Sequence, residues 1–244
     1  QDAGPVFVVP ATSRLGAVVG CSDSKDCVAY DAKDYRYVGS HNLIVKGIRN
    51  DDDDLSFPIL RGREEGHSYL LFTVPAGAFL TLADVQLDRG GVLNHGRLVL
   101  IRDSFEWSIT WSIFNYGRLT ASDTTFRYTT VINSNNGISN FSRCKFANNT
   151  GVSLRNDGGT ARVVQSTFEH NYGVSVESLK GSTVIEGCVF RNNHLFSVAG
   201  TNPWASPVTS TVRAVSGVTI VSGGLFARNF PALAETLPRV GSGD

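Results

Sequence analysis

The sequence repeats a Phe-x-x-Asn motif about every 20 residues, and this repeat constrains the fold more than any other feature. The motif is complete four times, in residues 146–149, 168–171, 190–193 and 226–229. Its phenylalanine column comprises Phe105, Phe126, Phe146, Phe168, Phe190 and Phe226, preceded by Leu87. Successive members are 18, 21, 20, 22, 22 and 36 residues apart. A period of this length indicates a solenoid, in which each repeat forms one turn and packs on its neighbours.

Each repeat has the pattern of short strands separated by bends. A glycine lies nine residues before each phenylalanine of the column, at Gly96, Gly117, Gly137, Gly159, Gly181 and Gly217. Glycine at a bend permits a positive φ angle or a close approach of two backbones. Apolar residues alternate before the column, and in several turns also after it. Alternation with a period of two is typical of strands, so each turn is predicted to contain three.

These patterns predict an all-β, single-domain, right-handed parallel β-helix (solenoid) of about seven or more turns. Seven turns spaced by ~4.8 Å would make a core ~34 Å long. Residues 41–230 are assigned to the solenoid, with insertions near 51–66 and 193–216. Residues 1–40 are expected to cap its N-terminal end or to donate a strand. Residues 231–244 are expected to form a C-terminal cap or tail, with 231–237 resembling a short helix.

The repeats also resemble those of a known family. Residues 90–93 read Gly-Gly-Val-Leu, and the Phe-x-x-Asn segments follow them. Together they resemble the GGxI and FxxN repeats of polymorphic outer-membrane-protein passenger domains, over residues 78–230. The resemblance implies a right-handed parallel β-helix exported to a cell surface, where proteins of this type serve as adhesins or coat components.

Composition and charge exclude two classes of partner. The 22 Lys and Arg residues balance the 22 Asp and Glu residues, and no basic run is longer than two residues. Nucleic-acid binding through bulk charge is therefore not expected. The longest apolar runs are far shorter than the ~20 residues that a membrane-spanning helix needs. We expect neither a nucleic-acid partner nor a membrane span.

Several features indicate secretion. The sequence begins at Gln1 and contains no Met, as expected of a mature chain that has lost a targeting peptide. Two sequons, at Asn140 and Asn148, predict N-glycosylation. We therefore expect an extracellular or cell-surface location.

The four cysteines divide into two pairs. Cys144 and Cys188 occupy the same column two turns apart. Their backbones would be ~9.6 Å apart, beyond the ~7 Å limit for a disulfide, so both are predicted to be buried free thiols. Cys21 and Cys27 enclose only five residues and are predicted to form a local disulfide.

The asparagines of the motif have two interpretations. Their column comprises Asn149, Asn171, Asn193 and Asn229. It could be a polar binding stripe, but stacked amides at equivalent bends favour a structural ladder of hydrogen bonds along the solenoid axis.

A further column follows the phenylalanines on the outward side: Asp88, Glu106, Arg127, Ala147, Glu169 and Arg191. Glu106 beside Arg127, and Glu169 beside Arg191, predict cross-turn ion pairs on a solvated face. The alternative concerns Asp88 and Glu106, which adjacent turns would place ~4.8 Å apart, close to the separation of a retaining glycosidase pair.

The insertions contain the remaining candidates. Asp51, Asp52, Asp53 and Asp54 predict a solvated loop, with a calcium site as the alternative, because calcium prefers oxygen ligands. Otherwise no metal or cofactor is expected. The insertion at 193–216 contains Trp204, and long loops on a rigid solenoid are frequent binding sites.

We therefore expect an extracellular, non-catalytic structural or adhesive protein: a surface adhesin, a coat component or a fibre subunit that assembles through its solenoid ends or terminal segments. Its expected partners are other copies of the chain, end to end, or a glycan or protein of a cell surface. The alternative is a carbohydrate-active enzyme of β-helix fold, a polysaccharide hydrolase or lyase.

Overall fold

The computed structural model describes residues 6–10, 14–16, 42–48, 59–61, 69–108, 111–194, 210–229 and 232–236. All regular structure in these ranges is β-strand. The first strands are β1 (Val6–Pro10), β2 (Arg14–Gly16), β3 (Asn42–Ile48), β4 (Ile59–Arg61), β5 (Tyr69–Val74), β6 (Phe79–Ala83), β7 (Gln86–Asp88) and β8 (Gly90–Asn94). They are followed by β9 (Arg97–Ile101), β10 (Ser104–Glu106), β11 (Ile113–Asn115), β12 (Arg118–Ser122), β13 (Thr125–Arg127), β14 (Val131–Ser134), β15 (Ile138–Ser142) and β16 (Lys145–Ala147). The last are β17 (Leu154–Val164), β18 (Thr167–Glu169), β19 (Val176–Glu186), β20 (Val189–Arg191), β21 (Ser210–Ala214), β22 (Val218–Ser222), β23 (Leu225–Ala227) and β24 (Ala232–Thr236).

Parallel pairing stacks these strands in three rows. The first row contains β1, β3, β6, β9, β12, β15, the C-terminal halves of β17 and β19, and β22. The second contains β2, β4, β7, β10, β13, β16, β18, β20 and β23. The third contains β5, β8, β11, β14, the N-terminal halves of β17 and β19, β21 and β24.

The chain visits the three rows in the same order in successive turns, so the fold is a parallel β-solenoid with three strands per turn, as predicted. From β3 to β24 eight successive turns have a described strand in each of the three rows, and about five of them, from β6 to the first half of β19, are described almost without a break. The predicted count of seven or more includes the partly described turns at either end.

The phenylalanine column forms a stack of rings inside the solenoid. Ring centroids are 5.3 Å apart for Phe105 and Phe126, and 4.6–4.9 Å apart for the four pairs that follow, down to Phe226. Leu80 and Leu82 belong to two further buried columns in the first row, in which Leu43 and Val45 precede them. Burying each side chain of this size stabilises the fold by about 1.5–3 kcal/mol.

The glycine column lies at the corner between the third and first rows, where successive turns approach each other. A Cβ atom on Gly117 would lie 2.2 Å from the carbonyl oxygen of Gly96, and one on Gly159 would lie 2.2 Å from that of Gly137. Both distances are well below van der Waals contact. Close backbone approach therefore requires glycine at these positions.

The asparagine column of the motif is inside the solenoid and joins each turn to the next. The backbone N–H of Asn171 donates to Oδ1 of Asn193 at 3.0 Å, and the Asn171 side-chain amide donates to the carbonyl of Phe146 at 3.1 Å. The same arrangement recurs around Asn149 and Asn193. In these described turns the amides satisfy backbone groups at the bends, as a structural ladder would.

A second asparagine column, outside the Phe-x-x-Asn motif, lies at the end of the third row. It comprises Asn94, Asn115, Asn133 and Asn156, all fully buried. Each side-chain amide donates to Oδ1 of the next member, at 2.6, 2.8 and 2.9 Å along the column. Buried amides thus hydrogen-bond successive turns to each other at two of the three corners of the solenoid.

The expectation of a short helix in residues 231–237 is wrong. Ala232–Thr236 is strand β24, which pairs in parallel with β21. Alanine and leucine favour helix locally, but the edge of β21 offers hydrogen-bonding partners for a strand. At the other end β1 pairs with β3 of the same chain.

Residues two before each phenylalanine form an inward column of mostly small side chains at a bend: Val85, Asp103, Thr124, Cys144, Ser166, Cys188 and Gly224. The thiols of Cys144 and Cys188 are free and buried. Burial raises the pKa of the Cys144 thiol to about 12 and also raises the pKa of the Cys188 thiol. Cys21 and Cys27 lie outside the described residues, so their disulfide stays a prediction.

Asp103 is the acidic member of this column. Its carboxylate accepts hydrogen bonds from the backbone N–H groups of Val85 and Ile101, at 3.1 and 3.0 Å. Burial nevertheless raises the pKa of Asp103 to about 8, because the charged form is poorly solvated there. Thr124 occupies the same column one turn later and donates its hydroxyl to the carbonyl of Ser122.

Replacing Asn171 with Leu should lower the free energy of unfolding by roughly 2–4 kcal/mol, because the N–H of Asn149 and the carbonyl of Phe146 lose a buried partner. Urea denaturation would measure the change. Asn140→Thr is the control, since Asn140 is exposed and the equivalent residue of the preceding turn is Thr120. Equal stability of the two variants would contradict the ladder.

Replacing Asp103 with Thr should flatten the pH dependence of stability. An unfolded Asp has a pKa of ~3.9, so the raised pKa of Asp103 makes the folded state bind a proton more tightly. Its stabilising contribution is complete below pH ~4 and is lost as pH rises through about 8, by up to ~1.4 kcal/mol per pH unit. Urea titrations from pH 4 to 9 would compare the two proteins. Parallel curves would contradict the raised pKa.

Candidate functional site

The carboxylates proposed as a catalytic pair lie on the second row. Asp88 and Glu106 are directly opposite each other on the neighbouring strands β7 and β10. Glu106 accepts hydrogen bonds from Ser104 at 3.2 Å and from Gln86 at 3.4 Å, and Arg127 lies 3.7 Å from it. The structure thus brings the pair together, but Glu106 is held by three neighbours of its own row.

Glu169 lies between two cations from adjacent turns. Its carboxylate accepts from the Arg191 guanidinium at 2.8 Å and lies 2.5 Å from the Lys145 ammonium. Burial alone would raise the pKa of Glu169, but Lys145 and Arg191 outweigh it and hold the pKa below its usual value. The expectation of a fully solvated face is wrong here, because Asp88, Ala147 and Glu169 are all buried.

Opposite charges also meet across turns elsewhere on the surface. Arg102 makes two hydrogen bonds to Asp84, and Arg143 makes two to Asp123, all four at 2.8 Å. The Arg143 hydrogen bonds hold the pKa of Asp123 below its usual value. The other cross-turn pairs are Arg155–Glu177, Arg213–Glu177 and Arg162–Glu186. The exterior of the solenoid therefore largely neutralises itself.

The corner after the second row carries an exposed aromatic stack. Seven successive turns each place one residue at this corner, and all seven have φ near +55°: Arg89, Trp107, Tyr128, Asn148, His170, Asn192 and Arg228. Trp107 and Tyr128 are neighbours in this column, with ring centroids 4.0 Å apart and planes inclined by 13°. They are 53% and 36% exposed. We call these two residues the aromatic stack.

The aromatic stack adjoins the polar residues of the second row. Trp107 directly follows Glu106, and Tyr128 directly follows Arg127. The corner therefore places two stacked, partly exposed rings beside one carboxylate and one guanidinium. Sequence reasoning missed the stack, although both aromatics lie two residues after a phenylalanine of the column.

The remaining predicted sites divide by position. Asn140 is exposed on β15, and Asn148 is half-buried at the bend with φ of 55°. Asp51 to Asp54 and Trp204 lie outside the described residues. Within the described ranges, no three His, Cys, Asp or Glu residues are grouped so that they could hold a metal ion.

No protein-family model, curated protein or solved structure matches this chain. The likeness to polymorphic outer-membrane-protein passenger domains therefore rests on the repeats themselves. Among the described residues, none forms a helix long and apolar enough to cross a membrane.

Proposed function

We propose that this protein is an extracellular, non-catalytic adhesive solenoid that binds a glycan through the aromatic stack. The observation that carries the proposal is the conformation of Trp107 and Tyr128, two bulky residues with φ of 58° and 51°. A positive φ is unfavourable for large side chains, and asparagine tolerates it better. The same bend has Asn148 and Asn192 in other turns.

The stacking of the two rings offsets only part of this strain. An aromatic pair contributes about 0.5–1.5 kcal/mol beyond its buried area, and both rings keep an exposed surface. Strained residues that persist on a surface are concentrated at binding sites. Ligand contact is therefore a better explanation than stability for aromatic residues at this bend.

A sugar fits the chemistry of this corner. The C–H groups of a pyranose form an apolar face that can pack on an aromatic ring, while its hydroxyls need polar partners. Glu106 and Arg127, directly before the two rings, supply an acceptor and a donor. The stack is open and shallow, as suits a chain of sugars lying along the surface.

The location of the protein and its covalent modifications are part of the same proposal. The likeness to surface-exposed passenger domains favours a cell-surface location. Exposed Asn140 is a suitable position for N-glycosylation, with Asn148 as the second, and a disulfide between Cys21 and Cys27 suits an oxidising compartment.

Replacing Trp107 with Asn should weaken glycan binding at least tenfold without lowering the melting temperature, because Asn is favoured at this φ. Tyr128→Asn should act in the same way. A glycan array followed by calorimetry on the best ligand would measure both. His170→Asn, at the same bend on a later turn, is the matched control and should bind normally.

Two outcomes would contradict the proposal. Unchanged binding by Trp107→Asn and Tyr128→Asn would exclude the aromatic stack. Cleavage of a bound polysaccharide by the wild type, lost in Glu106→Gln, would instead assign a carbohydrate-active enzyme with Asp88 and Glu106 as its carboxylates.

A fibre subunit is the second candidate, favoured by the C-terminal end of the solenoid. Val221 continues the inward column of Leu82 and Ile185. Both of those residues are fully buried, yet Val221 is 37% exposed. Val218 and Ile220 on the same strand are also exposed. Within the described residues β22 and β23 each pair on one side only. An apolar open edge of this kind can pair with another copy of the chain.

Replacing Val221 with Asp should abolish concentration-dependent association if the ends assemble. Light scattering from 1 to 100 µM would follow the mass. Ile138→Asp is the control, because Ile138 is also 37% exposed but lies in the middle of the solenoid. A wild type that stays monomeric throughout would exclude assembly through this end.

A further inference from the structure

Three exposed arginines among the described residues, Arg97, Arg118 and Arg228, form no ion pair with a described carboxylate, and the first two are neighbours. Seven described arginines contact an acid of a neighbouring turn: Arg102, Arg127, Arg143, Arg155, Arg162, Arg191 and Arg213. Arg97 instead contacts an aromatic ring, because its guanidinium lies 5.1 Å from the centre of the Phe79 ring.

The two arginines are also neighbours on adjacent turns. Arg97 begins β9 and Arg118 begins β12, and the parallel register places them directly opposite. Like charges that face each other across neighbouring strands destabilise a sheet. The position before them in this column is Phe79 and the one after them is Ile138, so no acid of the column relieves the repulsion.

An open cleft of about 460 Å³ adjoins these arginines. Its side chains include Phe79, His95, Arg97, Tyr116, Arg118 and Ile138. We call it the arginine cleft. Among the described residues, the lining contains neither Asp nor Glu. The volume is within the range of small-molecule sites, about 300–1,000 Å³.

One wall of the arginine cleft is a pair of stacked rings. The His95 and Tyr116 centroids are 4.9 Å apart and the planes differ by 3°. Phe114 stacks on Tyr116 at 5.0 Å. These rings lie at the glycine corner, where the backbone of each turn is packed on the last, so their positions are set before any ligand arrives.

We propose that the arginine cleft binds an acidic sugar, whose carboxylate or sulfate is held by Arg97 and Arg118. Guanidinium groups match the geometry of both oxyanions and bind them through paired hydrogen bonds. The anion would remove the repulsion between the two arginines. The apolar face of the sugar ring would lie against the exposed part of the His95–Tyr116 wall.

A sugar fits this cleft better than a nucleic acid. A phosphate backbone needs a track of basic residues, whereas Arg102, Arg143 and Arg162, on the first row and its corner, are paired with acids of adjacent turns. Two unpaired guanidiniums next to aromatic walls suit one anionic group on one ring. This site lies on the first row and its corner, separate from the aromatic stack, and does not depend on it.

Calorimetry with a sulfated tetrasaccharide, an oligogalacturonate and a neutral oligosaccharide of equal length would test the proposal. At least one acidic probe should bind ten times more tightly than the neutral one. Arg97→Gln and Arg118→Gln should each weaken that binding at least tenfold. Arg162→Gln is the control, since Arg162 is exposed on the same row but paired with Glu186.

Melting temperature separates a binding role from a structural one. Arg97→Gln should melt close to the wild-type temperature, because relief of the like charge of Arg118 offsets the lost contact with the Phe79 ring. Three outcomes would each overturn the proposal. They are equal binding of the acidic and neutral probes, an equal loss of binding in Arg97→Gln and Arg162→Gln, and binding of inorganic sulfate as tight as that of the sulfated sugar.

Discussion

The parallel hydrogen bonding of each turn to the next is the constraint on which the rest of the structure depends. It holds equivalent residues ~4.8 Å apart along every row. At the corner of Gly117 and Gly159 the backbones are so close that a Cβ atom would not fit. A side chain in this fold therefore meets its own equivalents in the neighbouring turns. Phenylalanine stacks on phenylalanine, amide bonds to amide, and acid pairs with base across turns.

Positions that depart from this matching of side chains across turns are therefore informative about function. Many outward charges pair across turns, and Asn148, His170 and Asn192 suit the αL bend after the second row, which Arg89 and Arg228 also occupy. The aromatic stack breaks the local conformational preference, and Arg97 beside Arg118 breaks the charge pairing. Both exceptions lie between residues 79 and 128, on a scaffold that holds them rigidly. Pre-organised side chains lose little entropy when they bind, which makes such positions suitable for recognition.

The sequence predicted the features that follow a strict period. The Phe-x-x-Asn repeat predicted parallel strands, three to a turn, and the structure has them. The repeat did not reveal the second asparagine column, which begins at Asn94 and Asn115, because the spacings of that column, 21, 18 and 23 residues, differ from those of the phenylalanines. It also misjudged Glu169, which is buried by the long side chains of Lys145 and Arg191 although it faces outward.

By itself the sequence determined which residues share a column and which columns face the core, because period-two strands of fixed register leave no other arrangement. Tertiary structure alone decided which outward columns meet at a corner. His95 and Tyr116 come to line a cleft with Arg97 and Arg118 through the angle of the glycine corner. That angle depends on backbone torsions and close contacts between turns, and neither residue type nor spacing records it. The same holds for the strand at Ala232–Thr236, whose helical preference was overridden by an available sheet edge.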